Sequence, residues 1–142
     1  MNYVGRISFI GLWILFSQFA RAEISAELAD ATNPLAESVP EVAVARLETL
    51  LNKNLADPEW RAVAEKLAEA HVGAKQEEAA LVLLTDPRLR ELPWAKFWRA
   101  QAFASLRRWA DALPLYEQLE ADETSPFRKA ATFGAAEMLR AL

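Results

Sequence analysis

The sequence predicts an all-α protein of short antiparallel helices, and three observations carry that reading. From Glu23 onward, apolar residues recur at helical spacing. The segments they define are separated by breaks that contain proline. No strand-like alternation runs through the chain, and no Asn-Gly or Asp-Gly pair marks a hairpin.

The first 22 residues read as an export signal. Arg6 supplies a positive start, Ile7 to Phe16 form an apolar run, and Ala20-Arg21-Ala22 offers a small-x-small site cut after Ala22. The alternative is a membrane anchor over residues 3–19, but crossing a bilayer takes about 20 apolar residues and this run reaches that only by including Ser17 and Gln18. The expected location is therefore periplasmic or secreted, with no membrane insertion after cleavage. The chain has no cysteine, which excludes a disulfide framework, a thiolate metal site and a Cys nucleophile. Cleavage removes Arg6 and Arg21 and no acid, so the formal charge of −4 becomes −6. With no stripe of Lys or Arg along any expected helix, that surface excludes a simple basic nucleic-acid binder.

Residues 23–39 read as a lead-in segment. Val44, Leu47 and Leu51 then define a helix over about Pro40 to Asn52. Trp60, Val63, Ala64, Leu67, Ala68 and His71 define the next, over about Pro58 to Val72, with Gly73 as its expected left-handed stop. A third, about Gln76 to Thr85, is apolar nearly all round through Ala79–Leu84, as a helix covered on several sides would be. The fourth runs from about Pro93 to Leu106 with Trp94, Phe97, Trp98, Phe103 and Leu106 on more than one stripe. The fifth, about Trp109 to Ala121, carries Ala112, Leu113, Tyr116 and Leu119, and holds Pro114 near its start, where a slight bend is expected. The last begins near Pro126. Asn33-Pro34, Asp57-Pro58 and Ser125-Pro126 each read as a side-chain N-cap followed by proline at the first helical position, a device worth roughly 1 kcal/mol.

These segments repeat. Ala64, Ala100 and Gly134 fall on alternate helices at spacings of 36 and 34, and Ala43, Ala79 and Ala112 on the others at 36 and 33. Four residues after each of the latter stands Leu47, Leu83 or Tyr116. In Pro93–Pro126, Ala100 and Phe103 lie on the first helix, Trp109 opens the second, and Ala112 and Tyr116 follow on it. On these residues the chain resembles the tetratricopeptide-repeat family, of an exported bacterial type. The resemblance covers about Pro40 to Leu142, strongly in that stretch and loosely elsewhere. It departs from the pattern where Gly73 and Ala79 stand one residue too far apart and where Arg107-Arg108 lacks the usual turn glycine. It implies helix pairs stacked as a short right-handed α-solenoid of about 2.5–3 repeats, possibly truncated, over residues 40–142, with a concave surface for another protein's segment.

The residues offer little chemistry beyond binding. His71 reads as an ordinary surface or edge histidine, with no Ser or Asp placed for a relay. Glu65, Glu69, Glu77 and Glu78 read as solvated helix faces, and no phosphate loop, dinucleotide fingerprint or metal-ligand spacing occurs. Catalytic, metal and cofactor residues are all read as none. Trp94, Phe97 and Gln101 fall where such repeats face their groove, which makes them the candidate partner-binding residues; the alternative is core packing of the aromatic pair against Trp60 or the preceding helix pair. Phe97 and Gln101 stand where a carboxylate clamp would want Lys and Asn, which disfavours that subclass.

The function expected is a non-enzymatic interaction scaffold of the periplasm or cell envelope that holds a protein or peptide ligand. The alternative is the N-terminal structural part of a longer envelope protein or enzyme. The last helix resembles the first of a pair without its second, and Phe127, Ala130, Phe133, Gly134 and Leu139 are expected to leave an apolar face on it.

Overall fold

The computed structural model describes the backbone from Phe9 to Leu142 and side chains from Ala22 onward. Within those bounds it is all-helical and strand-free: α1 (Phe9–Ala36), α2 (Pro40–Leu51), α3 (Asp57–Gly73), α4 (Glu77–Leu83), α5 (Pro93–Ser105), α6 (Trp109–Ala121) and α7 (Arg128–Ala141). Each helix packs on the next, and α1 with α3 and α3 with α5 also touch. The leader read over residues 1–22 lies outside the described residues up to 8 and outside the described side chains up to 21. No helix of the described residues is long and apolar enough to cross a membrane.

The turns after α1, α3 and α5 share one conformation. Ser38, Lys75 and Arg107 adopt φ of 61°, 60° and 58°, the left-handed region that usually falls to glycine. The following N–H groups donate back five residues, Val39 to Pro34 (2.9 Å), Gln76 to His71 (2.8 Å) and Arg108 to Phe103 (2.8 Å). The turn residues themselves donate three back, to Leu35, Val72 and Ala104. This pair of bonds caps the helix carbonyls that have no intrahelical partner. The next helix opens at once behind Val39, Gln76 and Arg108, whose φ of −121°, −109° and −89° and ψ of 65°, 53° and 63° are near-copies.

These turns set the repeat and correct the register of its middle unit. Five residues after each left-handed position stands a fully buried alanine: Ala43, Ala80 and Ala112, all 0% exposed. Nine residues after stand Leu47, Leu84 and Tyr116, also buried, and seven before stand Ala31, Ala68 and Ala100. In the second pair the crossing residues are therefore Ala80 and Leu84 rather than Ala79 and Leu83. Ala79 is exposed and Leu83 half-buried. Gly73 does not make the turn. No glycine among the described residues has positive φ; Gly73 is the last residue of α3, and a Cβ on it would stand 3.3 Å from Pro40 Cβ. Its smallness serves close packing, while Lys75 makes the turn.

The lead-in segment is also helical. Ile24, Leu28, Ala31 and Leu35 of α1 pack on the cluster of Val44, Leu47, Leu50, Val63 and Leu67, so α1 with α2 forms the first helix pair, and that pair begins before Pro40. That packing draws Asn33-Pro34 into the last turn of α1, with Pro34 inside the helix and capping nothing.

The cap readings fail elsewhere too: none of α2 to α7 carries a side-chain cap bond. Ala56 caps α3 in extended conformation, while the Asp57 carboxylate faces Arg61 and Arg88, each at 3.6 Å. Ser125 Oγ accepts the Phe127 N–H (3.2 Å) one turn ahead of α7. Pro114 does lie inside α6. The third helix is barer than expected: α4 packs mainly on α3 and α5, Ala80 is its one buried residue, and Val82 is 73% exposed.

At the far end, Gly134 of α7 takes the ring of Tyr116. A Cβ there would lie 2.7 Å from Cζ and 2.8–2.9 Å from the two Cε atoms. Both helices approach to within the thickness of an aromatic ring because position 134 has no side chain.

Candidate functional site

The three expected groove residues stand on α5, which starts where Pro93 follows an extended Leu92. All three are half-buried, but the aromatic pair diverges. Phe97 stacks on Phe127 (centroids 4.8 Å, planes 22° apart) and meets the edge of Trp98 at 5.2 Å. It belongs to the cluster built on Ala100, Ala112 and Tyr116. Trp94 and Trp98, with Trp60, pack instead on Ala64, Ala68, Leu84, Leu89 and Ala95. Much of the aromatic surface is therefore spent on joining helix pairs, and what Trp94, Phe97 and Gln101 present outward is a set of partial edges.

Charge surrounds this strip. Lys96 pairs with Glu91 at 3.0 Å and holds that carboxyl below its usual range. Arg99 donates to the Arg90 carbonyl (3.0 Å); burial, and then Arg90 beside it, push its pKa down. On α3, burial pushes the half-buried Glu65 upward, and neighbouring Glu69 adds to this against the opposing pull of Lys66. Glu65 is thus not the freely solvated group its helical spacing suggested.

Two clusters had no signal in the sequence. Arg88 lies 3.5 Å over the Trp60 ring and forks onto Asp86 at 2.8 and 3.0 Å. That lowers the Asp86 carboxyl and, with Asp57 at 3.6 Å, latches the α4–α5 loop to the start of α3. His71, expected at the surface, is 5% exposed: its Nδ1 bonds the Gln76 Oε1 at 2.9 Å and its Nε2 stands 4.0 Å from Glu48 Oε1. It is buried because the turn that follows α3 folds Gln76 back over it, a consequence of the left-handed Lys75. Between α1 and α2 runs an open groove of about 830 Å³ lined by Ala26, Glu27, Asp30, Ala31, Arg46 and Lys53 among others.

Among the described residues, no three His, Cys, Asp or Glu side chains are placed to hold a metal ion. No protein-family model, no curated protein and no solved structure matches the chain.

Proposed function

We propose that the chain is a non-enzymatic protein–protein interaction scaffold of the periplasm or cell envelope, built from tetratricopeptide-like helix pairs. The observation that carries the reading is the threefold repetition of one helical hairpin: a left-handed turn with an alanine seven residues before it and another five after. Pairs of that kind bury their faces only by stacking, and stacked pairs present a continuous helical surface for a partner's segment. The partner is a protein or peptide whose apolar side chains seat against the outward edges of Trp94 and Phe97, with Gln101 as a polar contact. A photo-reactive amino acid at position 101 of the full chain, in living cells, tests this. Discrete adducts with one protein are expected there and not at position 82 on exposed α4; no adduct at 101, or equal labelling at 82, overturns it.

Export rests on the leader residues alone. The mass of the protein recovered from the envelope fraction is expected to begin at Glu23, and a chain still starting at Met1 contradicts cleavage. A second reading, a structural section of a longer solenoid, draws on α7, where Phe133 and Leu139 are 67% and 61% exposed.

A further inference from the structure

The three left-handed turns that set the repeat also give the helices before them a common face. Ten and six residues before Ser38, Lys75 and Arg107 stand Leu28 and Thr32 on α1, Glu65 and Glu69 on α3, and Phe97 and Gln101 on α5. All six are half-buried. Helix α3 touches both α1 and α5, so matching positions run side by side, about 10 Å apart as packed helices are. At these six positions stand two carboxylates and no Lys or Arg. The two carboxylates are unequal. Glu69 accepts from Lys66 at 2.9 Å. At Glu65, burial opposes the charge most; Lys66 favours it, but that ammonium is engaged by Glu69, which adds repulsion. A half-buried carboxylate without a full partner is stabilised by a cation that reaches it, and more strongly than at an open surface. The long apolar stems of Lys and Arg also suit aromatic edges such as those of Trp94 and Phe97.

We infer that the segment held by this face is cationic: a lysine or arginine of the partner pairs with Glu65 on α3 while a neighbouring apolar side chain seats against Trp94 and Phe97 on α5. The inference rests on the scaffold reading and gives the partner its charge. An acidic segment is opposed by Glu65 and Glu69 on the face itself and by the net charge of −4 on the whole chain.

Peptides of about twelve residues, extended at about 3.3 Å each, cover three helices spaced about 10 Å apart. The probes are three such peptides, capped at both ends, that share the same leucines and serines and differ only in carrying lysine, glutamate or glutamine. Fluorescence anisotropy of the labelled peptides, titrated with the protein as isolated from cells, should place the lysine peptide on the order of tenfold tighter than the glutamine peptide, with the glutamate peptide weakest. Glu65→Gln should bring the lysine peptide down to the glutamine one. Glu78→Gln, which removes the same charge from an exposed position on α4, should not. If Glu65→Gln loses helix, Glu65→Met carries the same expectation. Equal affinities overturn the inference, as does a glutamate peptide that binds best, a lysine preference untouched at Glu65 or equally lost at Glu78, or no binding by any of the three. Adducts at position 101 without a lysine preference here would remove the charge and leave the scaffold reading in place.

Discussion

Replacing Gly134 by alanine separates a tight crossing from an ordinary helix position. A methyl group at 134 meets Tyr116 at 2.7, 2.8 and 2.9 Å, distances that real Cβ atoms do not adopt. Tyr116 is 1% exposed, so its ring has nowhere to swing. Overpacking of this kind costs about 1–3 kcal/mol, and three simultaneous contacts against one ring place it near the upper end. Alanine in mid-helix returns about 1 kcal/mol relative to glycine. The net expectation is a loss of about 2 kcal/mol, or a melting point lower by roughly 6–8 °C for a chain of this size. Gly73→Ala supplies the comparison. Its new Cβ meets only Pro40, with Cβ at 3.3 Å, so the helix gain roughly cancels the contact and the melt should barely move. Helical circular dichroism against temperature and urea reads both. If Gly134→Ala melted at or above the parent, or matched Gly73→Ala, the α6–α7 crossing would not be as tight as described. Adding Tyr116→Leu should recover part of the loss, since the two positions act on one contact.

Three further outcomes follow from the same geometry. Arg107→Gly relieves a side chain held at φ 58° and should stabilise by about 0.5–1 kcal/mol in a urea titration, the strain removed exceeding the entropy added; a loss would mean that Arg107 contributes more than its backbone. Ala80→Leu should destabilise by about 1–3 kcal/mol, as should Ala112→Leu, while Ala79→Leu on the exposed face should be near neutral; a reversed order at 79 and 80 would restore the register rejected above. Burial, with Glu137 adding to it, pushes the Tyr116 hydroxyl up from 10.0 to about 12. The folded state therefore keeps the proton longer than the unfolded chain, so the contribution is complete below pH 10 and is lost as pH rises toward 12. That costs up to about 3 kcal/mol; Tyr116→Phe should flatten this part of the stability–pH curve, and an equally steep fall in that variant would assign it elsewhere.

The helices were legible because proline, tryptophan and glycine punctuate the chain near each end, and because one face of nearly every segment is apolar. What was not legible were contacts whose signals look alike in sequence. Asn33-Pro34 has the composition of a helix start, yet the stripe Ile24, Leu28, Ala31 and Leu35 carries α1 through it, since tertiary burial outweighs one dipeptide's preference. Gly73 looks like the turn and Lys75 does not, because a left-handed lysine has no compositional mark. A sharper signal was present: Ala31–Ala43, Ala68–Ala80 and Ala100–Ala112 share one spacing of twelve, and matching alanine to alanine across each hairpin finds the register without naming a turn. The aromatic trio on α5 was half legible. Its residues are where the spacing put them, but spacing says nothing of Phe127, whose ring takes up one side of Phe97.

The pattern of contacts also makes the molecule a kind of spring. Among the described residues each helix touches its successor, with α1–α3 and α3–α5 as the longer reaches of substance, and no extensive contact ties the first pair to the last helix. Small changes of angle at successive joints add up along the chain instead of being resisted by a shared core. The joint between α4 and α5 is stiffened by Arg88, which is clamped to Asp86, Asp57 and the face of Trp60 and fixes that loop against α3. Bending is resisted there as it is at the α6–α7 crossing, where Gly134 seats the ring of Tyr116.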